Sequence, residues 1–131
     1  MTGLVVVTHA GLAGELLGAA AMICGDTSAC EAVELHPTDP PELLTERIAS
    51  AVGRVGGDSV MIMTDMFGGT PSNTGMSFLQ EGKAEVITGV NLPMIVEFLS
   101  RRERVPFDDL ASLLQRTARD SIIVAGEFLK K

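Results

Sequence analysis

The sequence predicts an α/β domain, a three-layer sandwich in which helices cover both faces of a central, mostly parallel sheet. Three observations lead there. Strand-length apolar runs alternate with helix-period segments from one end of the chain to the other. Two of the runs, Leu4-Val5-Val6-Val7 and Val60-Met61-Ile62-Met63, are apolar without interruption, as in strands buried on both faces. The length is 131 residues with 46% hydrophobic and 21% charged, which suits one domain (1–131) around one core.

Leu4–Val7 is the first strand, followed by the turn Thr8-His9-Ala10-Gly11. Leu12, Leu16, Ala19, Ala20 and Ile23 then recur at helical spacing, and Gly25 is a natural stop. Ala32–His36 reads as the second strand, closed by Pro37. Pro40-Pro41 opens a second helix with Leu44, Ile48, Ala51 and Val52 as its apolar stripe, ended by Gly56-Gly57. Val60–Met63 is the third strand. Thr70 as N-cap and Pro71 at the first helical position start a third helix, with Met76 and Leu79 facing inward. Glu85–Thr88 is the fourth strand, and Asn91 caps the next helix, whose apolar side is Ile95, Phe98 and Leu99. Leu110, Leu113, Leu114, Thr117 and Ala118 define a further helix, and Ser121–Phe128 reads as a fifth strand.

Composition removes several function classes. Ten bases against 17 acids give a net charge of −7, which repels nucleic acid and anionic lipid. All five aromatic residues are Phe, too few for stacking platforms. Arg101, Arg102 and Arg104 read as solvated charges at a helix end, and Asp26, Glu31, Asp39 and Glu42 as solvated acids. Cys24 and Cys30 lack metal-site spacing and read as reduced structural thiols. No signal peptide and no membrane-spanning run is visible, so the expectation is a cytoplasmic protein that needs no metal or cofactor.

In an open parallel sheet, ligands bind at the carboxyl ends of the strands, where the strand order reverses. Three such loops are rich in Gly, Thr, Ser and Asn: 8–11, 64–73 and 88–93. A strand order 2-1-3-4 brings the first two together and sets His9 beside Asp65. A carboxylate on one ring nitrogen fixes the imidazole tautomer and leaves the other nitrogen nucleophilic. Gly68-Gly69 lets a small anion approach, and helix starts near Gly11 and Pro71 present free N–H groups. Together these features describe a histidine that takes and gives a phosphoryl group, although His9 by itself reads as a structural histidine and only the joint placement brings the two readings level. His36 has no acid in a matching loop and reads as structural or exposed. P-loop, dinucleotide and zinc templates find no match.

Val7-Thr8-His9-Ala10, Thr64-Asp65-Met66-Phe67-Gly68-Gly69-Thr70-Pro71-Ser72-Asn73 and Gly89-Val90-Asn91-Leu92-Pro93-Met94 resemble, in order and spacing, the mannose-family IIA component of the bacterial phosphoenolpyruvate-dependent sugar phosphotransferase system. The resemblance covers almost the whole chain. It implies a phosphoryl carrier with His9 as the phosphorylated residue and Asp65 as its partner carboxylate. Ala10, Gly11, Gly68, Gly69, Thr70, Ser72 and Asn91 are then the expected phosphoryl-binding residues. Thr70 stands where Ser is commoner, and Phe67 where some members carry Trp. An HPr-like phosphocarrier is the implied donor. A IIB component on a separate chain is the implied acceptor, since no IIB domain follows within the sequence. The resemblance also implies a homodimer that exchanges an antiparallel fifth strand at Ser121–Phe128. Two other readings remain at this stage: a regulatory phosphoprotein of an incomplete phosphotransferase system, and a flavodoxin-like nucleotide binder that the shortage of aromatics disfavours.

Overall fold

The computed structural model describes residues 1–130. Four strands, β1 (Gly3–His9), β2 (Cys30–Leu35), β3 (Val60–Thr64) and β4 (Ala84–Thr88), form one sheet in the order β2-β1-β3-β4. Every pairing in it is parallel. Helices α1 (Leu12–Cys24), α2 (Pro41–Val55), α3 (Thr70–Met76), α4 (Leu92–Arg101), α5 (Phe107–Asp120) and α6 (Ala125–Phe128) complete the chain.

Strand periodicity sorts the core into two layers. Leu4 and Val6 of β1, with Met61 and Met63 of β3, pack against Ala13, Ala20, Met94, Ile95, Phe98, Leu110 and Leu114 of α1, α4 and α5. Val5, Val7 and Ile62 point the other way, onto Leu44, Ile48, Ala51 and Val55 of α2. Leu4 to Val7 are fully buried, as are Met61, Ile62 and Met63, so the two central strands have no solvent face. Thr8 continues β1 into the crevice, where its hydroxyl accepts the Ala13 N–H at 2.8 Å and caps α1.

The expected fifth strand is corrected. Within the single chain, 122–124 have no regular structure and Ala125–Phe128 is a short helix. A strand needs a partner edge for its N–H and C=O groups, and this segment pairs with none in the chain. Ile122, Ile123, Val124, Phe128 and Leu129 are left exposed. Three smaller corrections follow from side-chain placement. The third helix begins at Thr70 with Gly69 as N-cap, one residue earlier than expected, and Leu79 lies beyond its end and is exposed. Arg102 is buried over the Phe98 ring, 5.6 Å from its centroid, because its long stem folds back onto the core. Glu31 and Asp39 are held in ion pairs by Arg54 and Arg47, and Asp26 accepts the Ser28 N–H.

Candidate functional site

The topological switch point falls between β1 and β3, which leave for opposite faces of the sheet. β1 delivers His9, and β3 delivers Asp65 one residue past its end. Register brings them level, because Val7 lies opposite Thr64. Asp65 Oδ2 accepts twice from His9: the backbone N–H at 2.9 Å and ring Nδ1 at 2.8 Å. Its Oδ1 accepts the Met66 N–H at 3.1 Å. A carboxylate on Nδ1 places the ring proton there and leaves a lone pair on Nε2. The His9 side chain is 49% exposed and that of Asp65 13%, so the imidazole faces solvent while its carboxylate partner does not. Burial alone would push the Asp65 carboxyl up. The hydrogen bonds from the His9 backbone and ring, with the imidazole charge, outweigh it and hold the carboxyl below the usual range.

Gly69 closes against the ring. A Cβ there would stand 3.1 Å from His9 Cε1 and 3.6 Å from Nε2, so a side chain at this position would push the imidazole aside by a few tenths of an ångström. We expect Gly69→Ala to tilt the ring, read as a shift of the His9 imidazole resonances, with little change in melting temperature. Unmoved resonances would show that this contact does not set the geometry. Gly68 turns the loop at φ +89°, and the buried Ser72 hydroxyl braces it, accepting the Gly68 N–H at 3.0 Å and facing the Gly69 carbonyl at 3.3 Å. Gly69 and Thr70 head α3 with the donors of a first helical turn, and Thr70 is exposed.

The structure thus brings His9, Asp65, Gly68 and Gly69 together, with Thr70 beside them. It commits other expected ligands elsewhere. The Ala10 N–H goes to the Leu35 carbonyl at 2.8 Å, and the Ser72 hydroxyl is spent on the loop. Asn91 caps α4 through the Met94 N–H at 3.1 Å and donates to Ala118 O at 3.1 Å, tying α4 to the end of α5. The Gly11 carbonyl accepts the Glu15 N–H at 3.2 Å as α1 begins. Sequence reasoning missed Glu34, which accepts the Gly14 N–H at 3.3 Å across the start of α1. Strand alternation carried that signal: in register Glu34 faces Thr8, on the α1 side of the sheet.

An open parallel sheet with an oriented, solvent-facing histidine at its switch point defines a class: a small α/β domain built to present one imidazole nitrogen. The chain belongs to the PTS system fructose IIA component family, whose family model, EIIA-man, matches residues 3–115. It is therefore a IIA component, the phosphoryl-carrying class of the sugar phosphotransferase systems. It is 30% identical over 133 aligned residues to the fructose-specific EIIA component of Bacillus subtilis (strain 168), covering 100% of this chain and 91% of that protein. Against the mannose-specific EIIAB component of Escherichia coli (strain K12), identity is 31% over 122 residues, and the match spans 91% of this chain but 38% of the relative. Among solved structures, a phosphotransferase system component EIIA from Streptococcus agalactiae superposes with a TM-score of 0.88 at 20% identity, covering 97% of this chain and 99% of that one. A mannose/sorbose specific IIA subunit from Enterococcus faecalis gives 0.84 at 24% identity, covering 94% and 93%. At such identities these structures speak for the fold. Among the described residues, no helix is long and apolar enough to cross a membrane.

Proposed function

We propose that the protein accepts a phosphoryl group from phospho-HPr on Nε2 of His9 and passes it to a IIB component. The observation that carries this reading is the 2.8 Å contact between Asp65 Oδ2 and His9 Nδ1, which leaves Nε2 free at the solvent side of the crevice. In the transfer, the Nε2 lone pair forms the new N–P bond as the N–P bond of the donor breaks. The donor nitrogen keeps that electron pair, and Asp65 stabilises the positive charge that develops on the ring. The N–H groups of Gly69 and Thr70, with the Thr70 hydroxyl, receive the phosphoryl oxygens. Gly68 and Ser72 contribute by holding the loop that carries them, Asn91 fixes the start of α4 beside the crevice, and Ala10 and Gly11 form the opposite wall. This is catalysis by positioning and electrostatics.

That role belongs in the cytoplasm, where a IIA component meets its donor and acceptor. The exposed apolar stretch Ile122–Val124 supports a homodimer, since a second copy would cover it. The test is incubation with phosphoenolpyruvate, Enzyme I and HPr, read by intact mass. One added phosphate is expected, lost in acid, because protonation of the ring nitrogen makes it a good leaving group. No transfer, with the same HPr active on another acceptor, would overturn the reading.

A further inference from the structure

We propose that Met66 shields the phosphoryl group on His9 from water, as an apolar cover beside the reactive edge of the imidazole; this rests on the phosphoryl-carrier reading above. Asp65 holds both residues. Its Oδ2 pairs with the His9 ring at 2.8 Å, and its Oδ1 accepts the Met66 N–H at 3.1 Å. The two side chains then meet above Gly69. A Cβ on that glycine would have three nearest neighbours: His9 Cε1 at 3.1 Å, His9 Nε2 at 3.6 Å and Met66 Cγ at 3.7 Å. The methionine stem and the attacking nitrogen thus flank one point over the loop backbone. The Ser72 hydroxyl, accepting the Gly68 N–H at 3.0 Å, keeps that loop in place.

Met66 is 57% exposed, a large apolar side chain left in water beside the nucleophile. Its thioether is a weak acceptor and carries neither charge nor proton, so it adds nothing to the transfer by acid, base or field. What it adds is exclusion of water from the reacting atoms. A phosphoryl carrier needs that, because water competes with the acceptor protein. In the competing reaction the water oxygen bonds to phosphorus and the N–P bond breaks. The electron pair of that bond returns to Nε2, the proton shed by the water passes to solvent, and orthophosphate leaves. An unbranched side chain with three rotatable bonds covers the group at rest and moves aside when a protein partner closes on the crevice.

The experiment follows the half-life of the phosphorylated full chain at neutral pH after the donor is removed, read by intact mass. Met66→Ser should shorten it about threefold to tenfold. Met66→Leu, apolar and of similar volume, should keep it. Melting temperatures and His9 imidazole resonances of both unphosphorylated variants should match wild type, which separates lost cover from lost geometry. Peroxide gives a second route: the thioether sulfur takes one oxygen, the O–O bond breaks and water leaves. The sulfoxide is polar, so wild type oxidised before loading should lose its phosphate as fast as Met66→Ser does. Oxidised Met66→Leu should not, although Met22, 90% exposed, is oxidised in both proteins. A Met66→Ser half-life equal to wild type would overturn the proposal, as would an equal loss in Met66→Leu. Wild-type protein that takes no label at all would instead overturn the reading of His9 as acceptor, and this inference with it.

Discussion

His9→Ala is expected to take up no phosphate from phospho-HPr while melting close to the wild type. The side chain sits at the rim, half exposed, and belongs to neither core layer. Its removal deletes one ring hydrogen bond, but the backbone N–H of residue 9 still reaches Asp65 Oδ2 at 2.9 Å and the strand ends in place. The stability change should stay within about 1 kcal/mol, as for exposed polar contacts generally. The chemical loss should be complete, because among the described residues His9 is the imidazole that Asp65 orients. His36 is on the β2 side, facing Glu34 at 3.5 Å. Intact mass after exposure to the donor system, paired with a thermal melt, checks both halves. Label persisting at the wild-type level would move the acceptor to another residue. Lost label together with a collapsed melt would leave the acceptor unassigned until His9→Gln, which keeps the polar rim, was tested in its place.

Much of this architecture was legible in the residues. Leu4–Val7 and Val60–Met63 are apolar on both faces because both layers of helices need them, so the strands and their central position followed together. His9 and Asp65 were legible as a pair because they end strands that the order 2-1-3-4 makes neighbours. Other features depended on what each group pairs with, which composition does not reveal. Ser121–Phe128 has a strand's composition, but a strand exists only against an edge, and in the single chain the segment ends as a short helix. Ser72 and Asn91 were expected as ligands because they fall in the loop segments that carry the family resemblance. In the fold they first satisfy backbone groups of the loop and of neighbouring helices. Glu34 went unnoticed because one acid in a strand reads as its solvent face. Its meaning depends on register with Thr8 and on the glycines of α1 that admit its carboxylate.

Asp65→Asn should slow phosphoryl uptake about a hundredfold or more while leaving the fold and the nucleophile in place. The carboxylate accepts three hydrogen bonds, two from His9 on Oδ2 and one from the Met66 N–H on Oδ1. An asparagine has one oxygen for these three donors. If that oxygen faces His9, the NH2 meets the Met66 N–H, donor against donor. If it faces Met66, the NH2 donates to Nδ1 and drives the ring proton to Nε2, the atom that must attack. Either way the variant also lacks the charge that steadies the imidazolium in transfer. The wild-type pH profile carries the same logic. Because the Asp65 carboxyl is held below its ordinary range, the oriented pair persists at every pH above the usual carboxylate value and fails as pH falls through the depressed one. Thermal melts against pH should show that acid limb in wild type and none from this group in the asparagine variant. An asparagine variant with the wild-type rate and the same acid limb would mean that Asp65 holds the loop and takes no part in the transfer.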